Sequence, residues 1–574
     1  MKTSTKLIFA SILASIFNIG LSSTVTAASP GALDPSFGAG GKVITGITGN
    51  TTTDNIAVQP DGKIILVSST ILNGTGQRNF YIARFNPNGA LDASFGVDGI
   101  VITHFSQNEE AVDVAVQTDG RIVVVGNSSP SAAGGNSSCA VARYLPDGAL
   151  DASFDGDGKT IIAVPGSAST QASAVALQTD GRIVVAGYVS GGAGGFDFLV
   201  FRLTAAGAPD TTFSGDGFAV NNFGGIDVFR DVVVQTDGKI VAAGNSDVSG
   251  SQDLALARYD QSGTLDNSFD SDGIVFTDFN STLEAANSIA LDQNGRIVAA
   301  GFTYNFATQS FNSTAARYNP NGSLDTTFDA DGKLTLDIAP GSDDKADFAI
   351  IEAGGKIIIA GEAAGDLTVL RLNSGGSLDA DFGVGGIVKT EIAGNDFAKA
   401  GALYGSQLVV AGKNPSTNIY VARYNLWAAP TQTGDFDGDG FTDSTVFRPS
   451  TGTWFTLKSL DGTVTQEQFG LSGDVPMDGD YDGDGRADLC IFRPSSGVWF
   501  FKRSSNGTTL GATFGQAGDK PQSGDYDKDG KSDIVVWRPS NGNYFVLRSS
   551  SNFSAFFAYP FGTSGDIPVQ GGAQ

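Results

Sequence analysis

Gly89-Ala90-Leu91-Asp92-Ala93-Ser94-Phe95-Gly96 is the stretch from which the architecture is read. It recurs seven times with small changes, anchored at Asp34/Phe37, Asp92/Phe95, Asp151/Phe154, Asp210/Phe213, Asp266/Phe269, Asp325/Phe328 and Asp379/Phe382. Successive anchor aspartates lie 58, 59, 59, 56, 59 and 54 residues apart. A spacing that regular marks a repeat architecture.

Outward from the second anchor, residues 100–105 form an apolar-rich segment. In residues 111–116, Val112, Val114 and Val116 alternate onto one face, as in a strand. Asp119-Gly120 is a hairpin signal, because Gly meets the demand for positive φ. Residues 121–125 are a continuous β-branched run, expected of a strand buried on both faces, and residues 140–145 supply a fourth strand. The hairpin returns at Asp61-Gly62, Asp180-Gly181, Asp237-Gly238 and Asn294-Gly295, then decays to Gly354-Gly355 and Gly405-Ser406. Four strands per unit and seven units predict an all-β chain with a seven-bladed β-propeller; a β-solenoid is the rival. One blade alone leaves two apolar faces bare, and radial stacking covers them. The phase stays open: each unit is one blade, or the Arg423 strand closes the first.

Each predicted fourth strand carries an arginine: Arg84, Arg143, Arg202, Arg258, Arg317, Arg371 and Arg423. The structural reading has the anchor Asp cap an inter-blade turn, the Arg fork onto it or onto a loop carbonyl, and the Phe wedge between blades. The functional reading is a ring of charges lining a ligand funnel.

The totals agree with a folded β protein. Of 574 residues, 41% are hydrophobic and 77 are Gly, while Met (2), Cys (2) and His (1) are scarce. A formal net charge of −26 disfavours nucleic acid and anionic membrane surfaces as partners. Residues 1–27 read as a secretory signal: Lys2 and Lys6, an apolar core over 7–17, and a Val25-Thr26-Ala27 cleavage site. This predicts a secreted, cell-surface or periplasmic protein. Cys139 and Cys490 read as small core strand residues in separate domains, and His104 as a surface variant of the place held by Asp278, Asp337 and Glu391.

Residues 30–425 resemble the delta-60 repeat family of predicted propeller-forming secreted bacterial proteins. The match rests on Leu-Asp-Ala-Ser-Phe-Gly, the Asp-Gly-Arg-Ile-Val hairpin and Ala-Arg-Tyr. The resemblance implies a fold and no activity.

After Trp427-Ala428-Ala429-Pro430 the period becomes 45 residues, with loops DFDGDGFTD (435–443), DYDGDGRAD (480–488) and DYDKDGKSD (525–533). Asp435, Asp437, Asp439 and Asp443 crowd four negative charges together, as do Asp480, Asp482, Asp484 and Asp488, and Asp525, Asp527, Asp529 and Asp533. Without a cation such a cluster repels itself, and Ca²⁺, which takes six to eight oxygens, suits it. Main-chain carbonyls of Phe441, Arg486 and Lys531 are further candidate ligands. Position twelve is Val446, Ile491 or Val536, so the bidentate Glu of an EF-hand is missing, and a strand follows instead of a helix. About three structural Ca²⁺ ions are expected. Residues 430–570 resemble FG-GAP/VCBS repeats, related to the calcium-bearing blades of integrin α-subunits, and the resemblance carries the metal role onto the same twelve aspartates. Gly565–Gly571 starts a truncated fourth unit. The domains expected are 1–27 (signal), 28–427 (propeller) and 428–574 (a smaller β module, docked on the propeller or completed by another chain).

One histidine makes a Ser-His-Asp triad or a His/Cys zinc site improbable. The expected role is non-enzymatic binding or adhesion to an extracellular protein or glycan. A carboxylate-based polysaccharide hydrolase or lyase and a structural cell-surface component are the alternatives.

Overall fold

The computed structural model describes residues 29–568 except 46–52, 72–75, 106–107, 131–135, 191–194, 249, 282, 353–354, 393, 406, 414–418, 427–433, 438–441, 459–461, 484–485, 528, 530, 564–565 and 567. The signal segment and the Trp427–Pro430 junction lie outside these residues. Among the described residues every regular element is a strand.

Blade one pairs Thr53–Val58, Ile64–Ile71, Arg78–Phe85 and Ile100–Thr103 in chain order, all antiparallel. Five further sheets repeat it, opening with Asn108–Val116, Thr170–Leu177, Asp227–Val234, Glu284–Leu291 and Asp344–Ile351. The seventh combines Phe397–Tyr404, Gln407–Lys413 and Ile419–Asn425 with Lys42–Ile44 from the other end of the chain. Neighbouring first strands touch in sequence, and Phe397–Tyr404 returns to Thr53–Val58, so the ring closes.

This settles the phase. Residues 100–103 are the last strand of the blade before, so repeat and blade are offset by one strand. The Arg423 strand does not close the first blade; the N-terminal strand closes the last one.

The second strands explain the continuous β-branched runs. Ile122 and Val124 pack with Ile65 and Phe80 of blade one, while Val123 and Val125 pack with Ile183 and Val185 of blade three. Both faces of the strand are core, so no polar alternation is tolerated.

Each first strand carries a bulge, for example between Ala111 and Asp113 or between Phe229 and Asp231. The extra residue is re-aimed by the bulge. Val112, Ser173, Arg230, Asn287, Asp347 and Lys399 thereby line the central channel.

The anchor motif is an inter-blade clamp. In blade one, Arg84 Nε donates to Asp92 Oδ2 at 2.8 Å, Nη1 reaches the Pro146 carbonyl of the next blade, and the guanidinium lies 4.5 Å from the Phe95 ring centroid. The bond repeats at Arg143–Asp151, Arg202–Asp210, Arg258–Asp266, Arg317–Asp325, Arg371–Asp379 and Arg423–Asp34, all between 2.6 and 2.8 Å. Both arms of the structural reading hold together. The residue after the hairpin turn adds a second cation on the same carboxylate at Lys63, Arg121, Arg182, Lys239, Arg296 and Lys356. Burial alone would raise Asp151, but the Ser153 hydroxyl and N–H and the Arg143 guanidinium hold it down at about 2. Asp92 and Asp266 are likewise held well below the usual carboxylate range against burial, by Ser94 and Lys63 and by Lys239 and Ser268.

Cys139 and Cys490 are buried free thiols in different sheets. His104 is half-exposed and shares Nδ1 with Glu109 Oε2 at 3.1 Å.

The C-terminal residues form one three-stranded sheet, Ser444–Arg448, Thr453–Leu457 and Val464–Gln468, and two four-stranded sheets. The two larger sheets open with Val475–Met477 and Lys520–Gly524. Arg493 forks onto Asp474 with two 2.8 Å bonds, and Arg538 onto Asp519 with two 2.9 Å bonds.

Candidate metal centres and the propeller channel

The second and third aspartate loops join the first strand of a C-terminal sheet to the second, and the first loop leads into Ser444–Arg448. Their ninth position is the structural pivot. Asp443 Oδ2 accepts the Phe436 and Asp437 N–H groups, and Asp533 Oδ2 accepts those of Tyr526 and Asp527. Asp488 Oδ2 accepts the Tyr481 N–H at 2.8 Å, and its Oδ1 the Ser504 N–H at 2.7 Å. These three aspartates are buried, and each folds its loop back on itself.

Carboxylate oxygens of Asp435, Asp437 and Asp443 lie within 4.8 Å of one another, as do those of Asp480, Asp482 and Asp488, and of Asp525, Asp527 and Asp533. Asp529 stands beside the third group, with Oδ1 accepting Ser549 Oγ at 2.9 Å and the Lys531 N–H at 2.9 Å. Arg486 is within the described part of the second loop. Asp439, Phe441 and Asp484 lie outside the described residues.

The donor set fits a hard cation. Asp527 Oδ1 is buried without a hydrogen-bond partner. Burial, and then the charge of Asp482, push Asp488 up to about 7; burial, with Asp527 adding to it, pushes Asp533 up to about 6. A divalent ion reverses that repulsion. Its ligands would be Asp435, Asp437 and Asp443 in the first loop and their counterparts in the next two.

The loops are also chained together. Ala487 N–H donates to the Asp435 carbonyl at 2.6 Å, and Ser532 N–H to the Asp480 carbonyl at 2.6 Å. The repeat spacing alone does not show this link.

The second candidate is the channel, a cavity of about 770 Å³ lined by the bulged residues. Lys399 Nζ pairs with Asp347 Oδ1 of the neighbouring blade at 2.6 Å. Asp231 accepts the Val232 and Ile289 N–H groups at 2.7 Å. Just outside, Tyr188, Phe196, Asn245 and Arg230 line a cup of about 480 Å³, with Tyr188 and Phe196 edge to face at 4.9 Å. Burial pushes Asp231 up to about 6; burial, against the Val175 N–H and together with the Asp231 charge, pushes Asp113 up to about 8. The bulge that aims these side chains leaves no mark in the apolar periodicity, which is why sequence reading missed them. The anchor Asp/Arg ring is not part of this lining.

Among the described residues no helix is long and apolar enough to cross a membrane.

A family model described as a domain of unknown function (DUF5122) beta-propeller matches residues 59–95, 117–154, 178–213, 235–269, 293–328 and 355–382. An FG-GAP-like repeat model matches residues 480–536. No curated protein matches the chain. Among solved structures, a catalytically inactive virginiamycin B lyase from Staphylococcus aureus with quinupristin is 12% identical, with a TM-score of 0.36 over 67% of this chain and 99% of that one. YCF48 from Cyanidioschyzon merolae is 10% identical, with a TM-score of 0.37 over 67% of this chain and 98% of that one. Sqt1 from Chaetomium thermophilum is 10% identical, with a TM-score of 0.35 over 78% of this chain and 97% of that one.

Proposed function

We propose that this chain, a propeller-repeat protein with FG-GAP-like repeats, is a secreted, calcium-loaded scaffold that binds an extracellular protein or glycan and is not an enzyme. The observation that carries the calcium reading is the threefold recurrence of a carboxylate trio within 4.8 Å, each built on a buried ninth aspartate. Ca²⁺ would act structurally, pinning three acidic loops, with affinity of ~0.1–1 mM as in extracellular modules. The binding reading is supported by the channel mouth, where aromatic, amide and cationic side chains stand together as in ligand sites.

The non-enzymatic reading is supported by how the channel carboxylates are occupied. Asp347 is held by Lys399, and Asp231 by two main-chain N–H groups. Neither is placed as a free acid or base.

A binding screen against glycans and extracellular proteins, run on the full chain with and without Ca²⁺, tests the role. Turnover of a polysaccharide by the same preparation, lost in Asp231→Asn, would replace this reading with the enzymatic one. Calcium dialysis tests the metal separately, with about three ions expected from these loops.

A further inference from the structure

Where one blade meets the next, three places recur near the start of the next blade's first strand. They are the start of a third strand, the residue just after the fourth strand, and the start of the next blade's first strand. Between blades three and four these are Asp197, Asn222 and Asp227, and the Asn222 amide donates to Asp197 Oδ1 at 2.7 Å. Between blades one and two they are Asn79, His104 and Glu109, and the His104 ring meets Glu109 Oε2 at 3.1 Å. At both junctions the middle residue is a polar side chain that can donate to an acid.

Between blades four and five the same places are Asp253, Asp278 and Glu284. The middle residue is now a third acid. Carboxylate oxygens of the three lie within 4.8 Å of one another. Asp366, Glu391 and Asp396 hold these places between blades six and seven without forming such a group.

Glu284 supplies the independent observation. It is fully buried. Oε1 accepts the Phe279 and Ser281 N–H groups at 3.1 and 2.9 Å, while Oε2 is buried with no partner at all. A buried, unsatisfied carboxylate oxygen beside two more carboxylates is costly unless a cation is shared among them. Lys333 Nζ reaches only the main-chain oxygen of Asp278, at 3.1 Å, among its described hydrogen bonds.

We infer that Asp253, Asp278 and Glu284 form a calcium site that bridges blades four and five. An all-oxygen donor set selects a hard cation, and three acids favour Ca²⁺ over a monovalent ion. The ion takes the part that the Asn222 amide plays one blade earlier. It would tie the Asp278–Glu284 segment to the third strand of blade four. The site is independent of the C-terminal loops.

The test compares the full-length chain with Asp278→Asn, a residue already tolerated at the preceding junction as Asn222. Equilibrium dialysis at roughly 5 mM CaCl₂, above most extracellular affinities, should find one ion fewer in the variant. Failure of the C-terminal loops would show as a low total in both proteins, and failure of this site as no difference between them. Hydrogen exchange on the wild-type chain guards against misfolding of the variant. Calcium should slow the amides between Phe279 and Glu284 in the wild type and leave them unchanged in Asp278→Asn. Equal ion counts, or exchange over this segment indifferent to calcium in the wild type, overturns the inference.

Discussion

Arg423 donates its Nε–H to Asp34 Oδ2 at 2.8 Å although 389 positions separate them. In the other six pairs the separation is 8. The geometry is otherwise the same: Arg423 reaches the Pro87 carbonyl through Nη1 and lies 4.8 Å from the Phe37 ring centroid. Ring closure therefore adds the same clamp to the pairing of Lys42–Ile44 with Ile419–Asn425. The two ends of the propeller are joined by the clamp that joins every other pair of blades.

Removing Arg423 should open that joint. Arg423→Ala leaves Asp34 buried, with Gln407 Nε2 and Ser36 Oγ as its remaining side-chain donors. Loss of one partner of a buried pair costs about 3–5 kcal/mol. Urea unfolding should show it, and Asp34→Ala combined with Arg423→Ala should cost less than the two single changes added together. A loss below about 1 kcal/mol for Arg423→Ala, the level of an exposed pair, would mean the clamp is not what closes the ring.

The glycine that opens each anchor motif should be sensitive for a reason that composition hides. Gly207 has φ +95°, and a Cβ there would stand 2.9–3.1 Å from the Phe154 ring of the preceding blade. Gly156 has a similar φ of +87° and open space around it. Gly207→Ala should cost about 1–2 kcal/mol for backbone strain plus about 1–3 kcal/mol for overpacking. Gly156→Ala should show the strain alone. Equal melting of the two variants would rule out the Phe wedge as the cause.

Two sets of carboxylates give opposite pH slopes. The anchor aspartates are depressed in the folded chain, Asp151 to about 2. Their contribution is full above the unfolded value near 4 and is lost as pH falls through the folded one. Asp231 at about 6 and Asp113 at about 8 are raised, so the unfolded chain gives up their protons first. Their contribution therefore declines as pH climbs from about 4 to about 8. Asp113 faces Asn55, the Val175 N–H and Asp231; Asp231 faces the Ile289 and Val232 N–H groups and Ser288, with Arg230, Asp347 and Lys399 also lining the channel. Melting temperature should fall on both sides of a maximum near pH 4–5. Asp231→Asn should flatten the upper limb; an unchanged upper limb would clear the channel acids of this role.

The repeat count and the strand content were legible because they are written as spacing: seven anchors, seven hairpins, three loops. The Asp–Arg pairing was legible because each partner recurs once per unit. The blade phase was not, since a short strand such as Ile100–Thr103 fits either neighbour until hydrogen bonds are seen. Lys63 and Arg121 on the anchor carboxylates were missed because a cation after a turn looks like ordinary surface. The channel lining and the Asp253–Asp278–Glu284 trio were missed for a different reason. They are departures from the repeat, and a search for likeness averages them away.

The chained loops predict coupling among the C-terminal ions. Loop two donates Ala487 N–H to loop one and accepts Ser532 N–H from loop three, so it touches both neighbours, while loops one and three each touch only loop two through these bonds. Asp482→Asn removes a ligand from the middle trio without touching either link, because both run through main-chain atoms. If the ion sets the position of those main-chain atoms, losing it in loop two should weaken binding in loops one and three together. Losing it through Asp437→Asn should weaken loop two and leave loop three close to wild type. Coupling energies of about 1–3 kcal/mol, or roughly 5–150-fold in affinity, are the scale to look for. Calcium titrations of the two variants followed by hydrogen exchange at each loop separate the cases. Independent, unshifted sites in Asp482→Asn would show that the links are mechanical contacts that carry no information about the metal.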